Sequence, residues 1–75
     1  MIKWIRIEPG EYRSEDERFH IVKTWNRVYG NHWELRDKNE PDYYKGKYDE
    51  NTLLDCKLKA EALLNQEKMQ KKTNI

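Results

Sequence analysis

Three stretches in the N-terminal half of the chain read as strands, two of them alternating apolar and polar residues with period two and the first carrying apolar residues on both faces, whereas a helical period emerges only from Thr52 onward. Residues Met1 to Ile7 read as a strand with Ile2 and Trp4 on one face and Ile5 and Ile7 on the other, ended by Pro9-Gly10. The Ser14-Glu15-Asp16-Glu17 cluster reads as a polar turn. Arg18 to Trp25 then reads as a second strand, with Phe19 and Ile21 on one side and His20, Val22 and Thr24 on the other. Tyr29-Gly30-Asn31 supplies the next loop, and His32 to Asp37 returns as a third strand with Trp33 and Leu35 on one face. A two-residue turn at Gly30-Asn31 places Trp33 and Leu35 opposite Val28 and Asn26. A three-residue loop instead sets Trp33 near Arg27 and Leu35 by Trp25, on the side of Ile21 and Phe19. That second register is the predicted one, because it gathers the aromatic residues on one buried face.

Asp37 to Tyr48 is charged and contains Pro41 and Gly46, so it reads as a loop, with Tyr43 and Tyr44 as candidates for a short edge segment. Thr52 is a good N-cap with Asp55 three residues on, and the helix it opens is expected to reach about Lys68. Leu53, Cys56, Ala60, Leu63 and Leu64 form the stripe that covers the sheet, and Leu54, Leu58, Ala62 and Met69 form a second line roughly opposite. The predicted architecture is α+β in the order β-β-β-α: a three-stranded antiparallel sheet packed on one C-terminal helix. One domain is expected over residues 1–67, and a frayed polar tail over 68–75.

Composition bounds what such a domain can do. Seventy-five residues hold one modest core, which disfavours a roomy buried active site. Charged residues make up 39% of the chain, yet three Trp, five Tyr and one Phe provide large units of burial, so the chain reads as folded. The formal charge is only +1, too little for a field that would draw nucleic acid or membrane to the whole molecule. Its distribution is uneven: five acids and one base lie between Glu8 and Glu17, and five bases and two acids between Arg18 and Lys38. The single cysteine, Cys56, allows no internal disulfide and no CxxC metal pair. The N-terminus lacks the apolar run of a signal peptide and no stretch suits a bilayer, so the expectation is a cytoplasmic protein without membrane contact.

No catalytic, metal or cofactor site is expected. His20 and His32, with Glu34 nearby, are candidates for facing one another across the hairpin, but both lie on the face away from the presumed core. Cys56 falls inside the apolar helical stripe, where a small core residue suits better than a nucleophile, and Ser14 has no His near it in sequence. The open sheet face is the candidate recognition surface. It would present Trp4, His20, Val22, Thr24, His32, Glu34 and Arg36, and mixtures of aromatic and basic residues suit protein interfaces and also phosphate backbones and bases. Nucleic-acid binding there would use Lys3, Trp4, Arg27 and Arg36. The Leu54/Leu58 line, with Ala62, is a candidate for a partner helix or a homodimer.

Pro9-Gly10-x-Tyr12, Trp33-x-Leu35-x-Asp37 and Thr52-Leu53-x-x-Cys56-Lys57-x-x-Ala60-Glu61, in the order β-β-β-α, resemble small uncharacterised phage and prophage proteins over most of the chain. Cys56 stands where those proteins usually have Ala. The resemblance implies an accessory protein that binds a protein partner to modulate host or phage machinery in the host cytoplasm. In topology alone the chain is also similar to the arm-type DNA-binding domains of tyrosine recombinases, which implies the alternative of a sheet-face nucleic-acid module.

Overall fold

The computed structural model describes residues 2–42 and 45–73, with side chains through residue 68. Five strands in chain order form one antiparallel meander: β1 (Trp4–Glu8), β2 (Glu11–Ser14), β3 (Phe19–Asn26), β4 (Gly30–Asp37) and β5 (Lys47–Glu50). The helix α1 (Leu53–Thr73) follows and packs on one face. The protein is therefore α+β, with a sheet of five strands where the sequence predicts three. Glu11–Ser14 and Lys47–Glu50 are the additions, and each carries a single large apolar residue, Tyr12 or Tyr48, too little for a period-two signal. Tyr43 and Tyr44, the expected edge segment, lie outside the described residues.

Local chemistry sets each connection. Pro9-Gly10 joins β1 to β2, with Gly10 at φ 83°, the proline-then-glycine pattern of a type II turn. Between β2 and β3 the buried Ser14 hydroxyl donates to Asp16 Oδ1 (2.6 Å) and accepts from the Phe19 N–H (2.9 Å). The Ser14 hydroxyl and the Arg18 N–H together hold the Asp16 carboxyl below its ordinary range. The β3–β4 loop is Arg27-Val28-Tyr29. Asn26 Oδ1 accepts the N–H groups of Val28 (2.9 Å) and Tyr29 (2.7 Å), and Gly30 takes φ 68° to re-enter the ladder, as three-residue hairpins require.

This loop lies ahead of the one predicted, and it moves the register by four residues. Leu35 stands opposite Ile21 and Trp33 opposite Lys23, instead of Trp25 and Arg27. A shift by an even number preserves the faces, so Phe19, Ile21, Trp33 and Leu35 still share the buried side. Trp25, however, is carried past the end of the core.

The core consists of Phe19, Ile21 and Leu35 from the sheet and Cys56 and Ala60 from α1. Ile2, Trp4, Tyr12, Trp33, Tyr48, Leu53, Leu63 and Leu64 pack around it. The helical stripe is the predicted one. Thr52 Oγ1 accepts the Asp55 N–H (3.0 Å) as N-cap, and burying a Leu or Ile such as Leu35 or Ile21 contributes about 2 to 3 kcal/mol. The helix continues to Thr73, past Lys68, and the side chain of Met69 lies outside those described. No helix among the described residues is long and apolar enough to cross a membrane.

Candidate functional site

Alternation along the strands sorts the sheet into a helix-side face and a far face, and the far face is not the open recognition surface that the sequence predicts. Trp4 is absent from it: its pairing with Ser14 turns it to the helix side, where its ring packs 6.4 Å from Phe19. His32 and Glu34 point to the far side but are buried, His32 beside Tyr29 and Asp49 and Glu34 between Arg36 and Lys47. His20, Val22 and Thr24 are half-buried, and only Arg36 of the predicted set on this face is exposed.

Charges on the far face are spent on one another. Glu34 accepts from Arg36 Nε (2.6 Å) and pairs with Lys47 Nζ (3.1 Å), His20 Nε2 lies 3.3 Å from Glu11, and Arg13 pairs with Glu17 (3.3 Å). His20 stands opposite Arg36 and His32 opposite Thr24, so the two imidazoles do not meet across the hairpin. Among the described residues no group of His, Cys, Asp and Glu has the arrangement of a metal site.

His32 has a structural job. Its Nδ1 lies 3.0 Å from the Gly30 carbonyl and its Nε2 2.9 Å from Asp49 Oδ1, while the Tyr29 ring lies 5.6 Å away. Both partners only accept, so the doubly protonated imidazolium is the form that satisfies both contacts. The Gly30 carbonyl, and then Asp49, raise its pKa against the opposing effect of burial. An open cavity of about 200 Å³ beside it is lined by Tyr29, His32, Asp49, Glu50 and Asn51.

Cys56 is fully buried beneath the sheet, and desolvation, reinforced by Glu50, pushes its thiol up to about 12. Ser14 Oγ is committed to its turn. It borders an open cavity of about 300 Å³ with Ile2, Lys3, Glu15, Asp16 and Leu64, but its proton is engaged by Asp16 and its oxygen by the Phe19 N–H.

The most exposed apolar residues of the sheet are at the end of the β3–β4 hairpin, where Trp25 is 65%, Val28 83% and Tyr29 61% exposed, with Ile5 and Ile7 of β1 exposed to a lesser degree. Trp25 shares the helix side with Lys23 and Trp33, past the exposed Lys23 on its own strand and the partly buried Trp33 opposite it. The sequence reading missed this site because its register paired Trp25 with Leu35 and buried it. The available signal was Asn26 followed by Gly30, the turn chemistry that marks the true loop.

Of the remaining candidates, Arg27 sits in the exposed loop, and Lys3 lies near the far end of the sheet beside Glu15 (3.6 Å). Lys3, Trp4, Arg27 and Arg36 therefore occupy separate surfaces. Leu54 and Leu58 are 63% and 53% exposed and Ala62 is exposed, so the second helical line does face outward. Two leucines and an alanine fall far short of the roughly 800 Å² per partner of a stable interface. No protein-family model matches the sequence, and no curated protein and no solved structure matches it.

Proposed function

We propose that this protein is a non-enzymatic accessory module that binds a protein partner through the exposed end of its β3–β4 hairpin. The observation that carries the reading is the exposure of Trp25, Val28 and Tyr29, with Arg27 between them in sequence, at one end of a domain whose fully buried core is small. Trp, Tyr and Arg are the residues that most often dominate binding energy, and a rigid hairpin presents them at little entropic cost. A protonated Cys56 thiol and a Ser14 hydroxyl engaged in a turn support a non-catalytic role. The resemblance to small phage and prophage proteins supports an accessory task, modulating host or phage machinery in the host cytoplasm.

Direct nucleic-acid binding by the far face is the weaker reading, since its bases are held by Glu11, Glu17 and Glu34. Affinity capture from host lysate, with and without nuclease, tests the choice. A protein retained by wild type and lost with Trp25→Ala, whether or not nuclease is added, is the expected result. Retention that vanishes with nuclease, or that ignores Trp25→Ala, overturns it.

A further inference from the structure

The helix-side face of the sheet is only partly roofed. From the margin of α1 toward the open hairpin end runs a continuous line of aromatic and basic groups: Lys57 Nζ lies 5.2 Å from the centre of the Tyr12 ring, Tyr12 lies 6.2 Å from Trp33, and Lys23 Nζ lies 6.0 Å from Trp33. Trp25 follows Lys23 on the same face, and Arg6 shares it through its pairing with Tyr12.

Charge distinguishes this line from the far face. No ion pair joins Arg6, Lys23, Arg27 or Lys57 to an acid among the described residues, whereas Arg13, His20, Arg36 and Lys47 all have one. The acids adjoining the line are Glu50, opposite Trp33, and Glu8 at the first turn, so positive charge predominates. Lys23 and Lys57 lie against the partly buried Trp33 and Tyr12 rings, Arg6 stands opposite Tyr12, and exposed Arg27 and Val28 occupy the tip.

We propose that this open end, from Lys57 and Arg6 through Tyr12, Trp33 and Lys23 to Trp25, binds an acidic polypeptide segment bearing large apolar side chains. The inference rests on the protein-partner reading above and adds the chemistry of the partner. Carboxylates of the segment pair with the four bases, and its apolar residues lie on Trp25, Trp33 and Val28. A polypeptide suits the surface better than a nucleic acid. Val28 offers aliphatic contact and no stacking plane, and four scattered bases do not track a continuous row of phosphates.

The test is an NMR titration of the labelled full chain with a short peptide alternating Glu with Leu and Phe. A peptide with Lys in place of Glu and a thymidine oligonucleotide serve as the other probes. The acidic peptide is expected to shift Lys23, Arg27, Trp33 and the Trp25 indole N–H, to bind at least about tenfold more tightly than the basic one, and to weaken with salt. Trp25→Ala and Lys23→Glu, both at exposed positions, should each weaken it about tenfold while the spectrum stays folded. Equal binding of the basic peptide, tighter binding of the oligonucleotide, shifts elsewhere, no binding, or indifference to both variants overturns the proposal. If the acidic peptide fails yet lysate capture still loses a protein with Trp25→Ala, the protein-partner reading stands and only the acidic chemistry falls.

Discussion

The two ends of β3 carry nearly the same residues in different surroundings: Arg18 beside Phe19 at one end, and Arg27 two residues from Trp25 at the other. At the first end the guanidinium makes a two-pronged contact with Asp37 (3.0 Å at each prong), reaches Glu67 of α1 and lies 4.7 Å over the Phe19 ring. Those two carboxylates raise the Arg18 pKa, and Phe19 is fully buried. At the second end no described acid meets Arg27, α1 does not cover Trp25, and the indole stands mostly in water. An aromatic-arginine pair becomes structure where a helix and acids close over it, and becomes an available surface where they do not.

The contrast can be broken or sharpened by measurement. The largest effect is expected between the two ends, where Leu35→Ala should cost about 3 kcal/mol in urea unfolding by emptying space under α1. A loss below about 1 kcal/mol would mean that the helix does not seal this part of the sheet. Next comes the direct comparison: Arg18→Met should cost about 2 to 3 kcal/mol, because Asp37 is left nearly buried without its partner, whereas Arg27→Met should stay within about 0.5 kcal/mol. Equal costs at the two positions would dissolve the distinction.

The smallest effect concerns the hairpin's own bracing. Because the folded-state pKa of His32 lies above its unfolded value of about 6.5, its stabilisation is complete below that value and is lost as pH rises through the folded one. Urea midpoints at about pH 6 and about pH 8 should therefore differ in favour of the lower pH, and His32→Gln should remove that difference. A wild-type midpoint that rises with pH, or a variant that keeps the difference, would reject the imidazolium clasp.

Much of the framework was legible in the sequence. The Thr52 cap, the stripe from Leu53 to Leu64 and the shared face of Phe19, Ile21, Trp33 and Leu35 all repeat the period of their element, and each is found as read. The strands containing Tyr12 and Tyr48 were not legible. A four-residue strand with one apolar side chain is held by backbone pairing with its neighbours, which leaves almost no trace in composition. The candidate surface was misread for a related reason. Trp4 and Trp25 look equivalent as isolated tryptophans, and only the register tells which one the helix side encloses.

Sequence alone determined which residues of β3, β4 and α1 share a face, because side-chain period is a local property of helix and strand. Tertiary structure decided how far each strand slides along the next, and with it which aromatic residues lie under α1 and which bases find an acid. Alternation is unchanged by a slip of four residues, so the pattern that fixes the buried face is blind to the displacement that leaves Trp25 in solvent.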